Sequence, residues 1–209
     1  NLLARRPEAI VLTGAVHRRT LSRLLIAADI PIIEIADLPQ RPIEHAIGFS
    51  NYQVGRTAAR YLLNRGFRKI GAVGGSNIGE VIDHRGEERM RGFEEELELA
   101  GVSADRVLRH GQAPVSFSHG AEAMGELLRI APDVEAVFAV SDLSAVGAVM
   151  ECQRRGIRIP EDISVIGFAL GQRTGQMILD LLTNGERDTT HIVDVGLRIV
   201  ERDSVGRRS

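Results

Sequence analysis

The residues best placed to do chemistry in this sequence stand where short apolar runs give way to polar ones: Thr13-Gly14, Ser50-Asn51, Gly74-Gly75-Ser76, Ser141-Asp142 and Ala169. If each run is a parallel strand, all five junctions are carboxyl ends, and open α/β sheets bind their ligands in the crevice beyond those ends. Hydroxyl, amide and carboxylate groups there have two uses. They can hydrogen-bond a small molecule, or they can accept the unpaired N–H groups of the helix that follows. Ser50 is thus either a ligand group or the cap of a helix opening at Asn51, and Asp142 is open to the same two readings.

Bond-breaking chemistry has no such foothold. No Gly-x-Ser-x-Gly elbow is present, the six histidines form no His-x-x-x-His pair, and Asp83-His84 with the single Cys152 makes no metal-ligand set. Gly71-Ala72-Val73-Gly74-Gly75-Ser76-Asn77-Ile78-Gly79 follows an apolar run and loosely matches a dinucleotide fingerprint, but its spacing is wrong and no helix pattern opens directly after it. No enzyme activity, cofactor or metal is expected.

The elements that must position these residues alternate along the chain. Ala9–Leu12, Ile30–Ile35, Ala46–Phe49, Lys69–Val73, Arg106–Leu108, Ala136–Val140 and Ile163–Phe168 read as strands. Between them, Arg19–Ala28, Asn51–Asn64, Glu87–Ala100, His119–Ile130 and Ser144–Arg155 carry apolar residues at helical spacing, and Gly66, Gly101 and Gly156 stand where helices stop. Strand–helix alternation predicts parallel sheets joined by crossover helices. The rhythm breaks at Leu170, which passes straight into Gly171-Gln172-Arg173-Thr174-Gly175 and a helix over Gln176–Leu182, as if residues were missing between Phe168 and Gly171. His191–Val200 has enough Ile and Val for one or two strands, and the Arg-rich tail after Ser204 is expected to be solvated.

Composition agrees with this class. Of 209 residues 44% are hydrophobic, 26% are charged and only 4% are aromatic, which suits an α/β protein better than a β-sandwich. A formal net charge of -2 gives no general attraction for a phosphate backbone. One cysteine excludes an internal disulfide, fits a reducing compartment and reads as a buried thiol sooner than a reactive one. No run approaches the roughly 18 apolar residues of a membrane span, and no secretory signal pattern is seen, so a cytoplasmic protein without membrane contact is expected. Asn1-Leu2-Leu3 runs almost at once into a strand without an initiator Met, so earlier residues are expected to exist.

Three stretches in order carry a resemblance: Ile47-Gly48-Phe49-Ser50-Asn51-Tyr52-Gln53-Val54-Gly55-Arg56, then Arg89-Met90-Arg91-Gly92-Phe93, then Val137–Asp142 through Arg155-Gly156-Ile157-Arg158-Ile159-Pro160-Glu161-Asp162-Ile163-Ser164-Val165-Ile166-Gly167-Phe168. The chain resembles the effector-binding part of the lactose-repressor (LacI/GalR) family of transcription regulators over nearly its whole length. Glu151–Ile157 and Pro114–Phe117 look most like the gluconate-repressor branch. The resemblance implies a two-lobed periplasmic-binding-protein-like fold, each lobe a doubly wound parallel sheet flanked by helices, dimerising side by side with a small effector in the cleft. It places 1–62 with about 171–186 in an N-terminal lobe, and 63–170 with about 187–209 in a C-terminal lobe. Operator DNA is then contacted through a helix-turn-helix headpiece that this sequence does not contain, and effector binding shifts operator affinity by selecting one interlobe angle.

The family pattern also implies site residues. Arg89 stands where the family's Arg-x-x-Gly-aromatic motif puts an arginine on the ligand, and Arg85 matches a second pocket position; the plainer reading of Arg89 is a surface arginine at a helix start. Ser50, Asn51, Ser141 and Asp142 complete the expected contacts, with Phe117 offering an apolar face unless it is core packing. Where many sugar-binding relatives place acids, this chain has Ser50 and Ala169. Fewer carboxylates beside two guanidiniums shift the pocket toward positive potential, which favours a sugar acid over a neutral sugar. Two other classes are kept in view: a periplasmic-type sugar carrier of a transport system shares the fold, and a Rossmann-type oxidoreductase would bind a nicotinamide.

Overall fold

Runs rich in β-branched residues become strands, and the stretches with helical apolar spacing become the helices between them. The computed structural model describes residues 3–14, 16–76, 82–168 and 192–206. In chain order the elements are β1 (Ile10–Thr13), α1 (Arg19–Ala27), β2 (Ile32–Ile35), β3 (His45–Gly48), α2 (Asn51–Asn64), β4 (Ile70–Ser76), α3 (His84–Leu99), β5 (Val107–Gln112), α4 (Phe117–Ile130), β6 (Ala136–Ala139), α5 (Asp142–Arg154), β7 (Ser164–Ile166) and β8 (Ile192–Asp194). The chain divides into two compact units, Asn1–Ser50 with Leu170–Leu197, and Asn51–Ala169 with Arg198–Ser209.

The first unit holds a four-stranded sheet in the order β1-β2-β3-β8, with every pair parallel. Ile10, Ile32 and Leu25 of α1 form its buried centre. Glu34 in β2 is also buried, and its carboxylate is satisfied by His17 Nε2 at 2.8 Å and the Ile43 backbone N–H at 2.7 Å.

The second unit is built on a parallel sheet in the order β5-β4-β6-β7. From β4 the chain steps outward to β5, then returns to lay β6 and β7 on the other side, so the winding reverses between β4 and β6. Side chains alternate across this sheet as a pleat requires. Phe138 stacks on Phe93 of α3 with ring centroids 5.1 Å apart, while its neighbours Val137 and Ala139 face Met124, Leu127, Ala148 and Cys152 of α4 and α5. Helices therefore cover both faces.

Each helix pair crosses on glycine. A side chain at Gly55 of α2 would strike the Arg89 carbonyl, and one at Gly92 of α3 would strike the Tyr52 carbonyl. The same device joins α4 and α5, where Gly120 meets Ser144 and Gly147 meets the Phe117 carbonyl. Removing the Cβ at such a point lets two backbones approach. The helices also end as expected: Gly156, at φ 73°, donates its N–H to the Gln153 carbonyl while Ile157 donates to Cys152, and Gly66 and Gly101 close α2 and α3 similarly.

Several boundaries differ from expectation, each for a local reason. α3 opens at His84, not Glu87, because Asp83 accepts the Gly86 N–H at 3.0 Å as its cap. Ser116 caps α4, which starts at Phe117 instead of His119. Ser141 caps α5, so Asp142 is the first helical residue and not the cap. β7 stops at Ile166, and β5 continues to Gln112. Within the second unit α2 packs along α3. The segment from Ser204 to Gly206 is not simply solvated: the Val165 N–H donates to the Ser204 carbonyl and the Gly206 N–H to Ser164 Oγ. Within His191–Val200 the described strand is β8. Ala169, the suspected break before Gly171 and the helix expected over Gln176–Leu182 lie outside the described residues.

Candidate functional site

At the winding reversal the connections leaving the carboxyl ends of β4 and β6 run to opposite faces of the sheet, which is where a crevice forms in sheets of this type. Arg89 reaches this place from the second turn of α3. It is no surface arginine: only 7% of it is exposed. Its Nη1 donates to the carbonyl of Val140, the first residue beyond β6, at 2.6 Å. Its Nε donates to Oδ1 of Asn51, the first residue of α2, at 2.9 Å. The guanidinium carbon lies 3.9 Å from the ring centroid of Phe168, two residues beyond β7. A buried cation demands such hydrogen bonds, and the face of the ring adds a favourable quadrupole.

Asn51 is itself 2% exposed, so its amide acts on Arg89 from within the fold. Ser141 Oγ accepts the Ser144 N–H at 3.2 Å and lies 3.0 Å from Ser144 Oγ, an N-cap at the end of β6. Asp142 follows it at the exposed start of α5. Desolvation lifts its carboxyl above the ordinary value, while the guanidiniums of Arg202 and Arg89 pull the other way. Gly167, just before Phe168, borders this carboxylate: its position for a Cβ is 3.7 Å from Asp142 Oδ1. Arg89, Asn51, Asp142 and Phe168 thus converge on one end of the second sheet.

The other expected residues are placed differently. Arg85 sits one turn before Arg89, half-buried, and makes no hydrogen bond or ion pair to another described residue. Phe117 opens α4 with half its surface exposed, so it is not core packing. Ser50 is half-buried at the end of the first unit's chain. Phe168 and the Val140 carbonyl were not singled out from sequence, although an aromatic closing the Gly-Phe strand was a visible signal. Cys152 is buried, and desolvation first, then Glu151, pushes its thiol up to about 11. No group of His, Cys, Asp and Glu among the described residues could hold a metal, and none of their helices is long and apolar enough to cross a membrane.

Comparison with known proteins gives the class to which this fold belongs. The family model for a periplasmic binding protein-like domain matches residues 59–170. The HTH-type transcriptional regulator GntR of Pseudomonas aeruginosa is 31% identical over 98% of this chain. A LacI family transcriptional regulator from Silicibacter pomeroyi superposes with a TM-score of 0.80 at 33% identity, covering 98% of this chain and 80% of that one. The regulator CelR, solved as a cellobiose complex, gives a TM-score of 0.71 at 26% identity, covering 97% of this chain and 67% of that one. The chain belongs to the periplasmic-binding-protein-like family, as an effector-binding domain of the LacI/GalR superfamily of transcription regulators. These are not enzymes, and the α/β class expected from the alternating elements, with the two-lobed form that the resemblance implied, is the one found. The chain spans 64% and 53% of the length of the first two curated relatives it matches.

Proposed function

We propose that this chain is the effector-sensing part of a cytoplasmic DNA-binding repressor, and that its effector is a sugar acid of the gluconate type. The observation that carries the reading is the buried Arg89 guanidinium, held by Asn51, Val140 and Phe168 at the switch point of the second sheet. A planar fork fixed in this way presents a preorganised, positively charged surface to vicinal hydroxyls or a carboxylate. Arg85 adds a second cation one turn before it, and Ser141, Asp142, Ser50 and Phe117 are further proposed contacts, Asp142 as an acceptor for hydroxyl groups. Likeness to regulators named GntR supports this branch, and likeness to transcription regulators generally favours this role over that of a solute carrier.

Effector binding changes operator affinity through a headpiece elsewhere in the polypeptide, by favouring one conformation of the domain. The working unit is a homodimer. Leu143, Val146 and Met150, exposed by 42%, 46% and 57%, form a stripe on one face of α5 suited to a second copy. Sedimentation of Val146→Asp should show a monomer if that stripe is the interface.

Thermal-shift and calorimetric screening of gluconate and related acids beside neutral hexoses tests the effector class. At a hundredfold excess over Kd, a true effector adds about 2.7 kcal/mol to stability. Stabilisation by a neutral sugar and by no acid would overturn the proposal.

A further inference from the structure

α3 is braced along two flanks. On one, Gly92 lies against the Tyr52 carbonyl and Glu96 takes Arg56 and Arg60, all from α2. On the other stands a single guanidinium, that of Arg109 in β5. Its Nε and Nη2 donate to Glu87 at 3.0 and 2.8 Å, and its Nη1 and Nη2 donate to the two carboxylate oxygens of Glu94 at 2.7 and 2.9 Å. Glu87 and Glu94 are seven residues apart, hence on one line of the helix. Between the two braces runs the buried row of Arg89, Met90, Phe93 and Leu97.

β5 directs Arg109 to this task. Leu108 packs against the core beneath α4 and α5, so alternation turns Arg109 to the face that α3 covers. Directly after it the strand gains a residue: Gly74 pairs with Arg109 but Ser76 with Gln112, and Gly111, at φ 74°, accepts the Ser76 hydroxyl on its carbonyl at 3.0 Å. A bulge of this kind ends the regular ladder, which makes Arg109 the last residue of β5 held in it before the strand bends. The pairs of Arg91 with Glu88 and Glu95 are half exposed and contribute little. Arg109, Glu87 and Glu94 keep only 29%, 34% and 26% of their side-chain surface, and a fork that holds two carboxylates fixes geometry as well as charge.

We propose that Arg109 is a positioning residue of the effector site: by stapling Glu87 and Glu94 it sets the roll of α3, and with it the direction in which the Arg89 guanidinium is presented. The inference rests on the proposed role of Arg89 in holding the effector. A roll of the helix is magnified at the end of so long a side chain, so Arg109 acts on the ligand without touching it.

The Arg89 Nε–H, donated to Asn51, reports on this without any ligand. Its NMR signal, assigned by its absence from Arg89→Lys, is followed in the native chain, Arg109→Gln, Arg109→Lys and the paired variant Glu87→Gln/Glu94→Gln. Arg109→Gln and the paired variant should shift the signal and speed its exchange with water, and Arg109→Lys, which keeps the charge but loses the fork, should fall between them and the native chain. Cys152, on the opposite face of the sheet, should stay as resistant to iodoacetamide as in the native chain, which separates a rolled helix from a loosened fold. Calorimetric affinity for D-gluconate should fall by roughly 2- to 30-fold in Arg109→Gln. An Arg89 signal unchanged in position and exchange, native gluconate affinity in Arg109→Gln, or Cys152 exposed in step with the loss of the Arg89 signal each overturns the inference and leaves the proposed function standing. A native chain that does not bind gluconate overturns the proposed effector class instead, and the Arg89 signal still decides the role of Arg109.

Discussion

Asn51 Oδ1 accepts the Nε–H of Arg89 across 2.9 Å, although the two residues are 38 positions apart in the chain. The bond joins the first residue of α2 to the second turn of α3, at the crossing where Gly55 lies against the Arg89 carbonyl. The amide fixes the plane of the guanidinium, and in the proposed function that plane is the surface offered to the effector.

Asn51→Leu leaves that N–H without its acceptor in a buried setting. Loss of about 1–3 kcal/mol is expected in urea unfolding, the penalty for an orphaned buried donor. Effector affinity should fall with it, because the fork is no longer held in one orientation. A variant of native stability and native affinity would show that the bond positions nothing.

The glycine crossings should be unforgiving. Gly92→Ala places a methyl group on the Tyr52 carbonyl and forces α2 and α3 apart, costing about 1–3 kcal/mol or more. Gly125→Ala in α4 is the contrast. Its new methyl meets only the far ends of Arg155 and Glu151, at 3.0 and 3.1 Å, and these can move. Removing glycine from a helix interior gains about 0.5–1 kcal/mol, so this variant should match or exceed native stability in the same urea experiment.

Glu151 gives the acid limb of stability a defined contributor. Hydrogen bonds from Arg154 at 2.7 and 2.8 Å, joined by Arg155 at 2.6 Å against the opposing effect of burial, hold its carboxyl at about 2, below its ordinary 4.5. The unfolded chain then binds the proton more readily. Stability from this group is complete above pH about 4.5 and is lost as pH falls toward about 2. Glu151→Gln should be less stable at neutral pH and show a shallower decline through that window. Parallel acid curves for the two proteins would refute the assignment.

The Cys152 thiol reports on the core of the second unit. With no exposed surface and a pKa near 11, it should resist a thiol reagent such as iodoacetamide at neutral pH until the fold opens. Labelling in native buffer should follow global unfolding and speed up in urea with the loss of structure. Rapid modification of the folded chain would show instead that α4 and α5 part locally.

Much of the fold was written in local patterns. Alternation of apolar runs with helical spacing marked the strands, α2 was legible from Asn51 to Asn64, and Gly66, Gly101 and Gly156 announced three helix ends. These signals act within a few residues, so sequence alone carries them. Helix starts were less legible because each is set by a cap, Asp83, Ser116 or Ser141, accepting the backbone N–H three residues further on, a contact seen only in the folded chain.

The residue types at the site were likewise visible, whereas their roles were not. That Arg89 is buried, that Asn51 serves it from inside the fold, and that Phe168 lies under its guanidinium follow from contacts between segments distant in sequence. The order β5-β4-β6-β7 alone brings the ends of β4, β6 and β7 to the same place as the start of α3. Periodicity decides which face of an element is apolar; only the packing of elements decides which strand ends become neighbours.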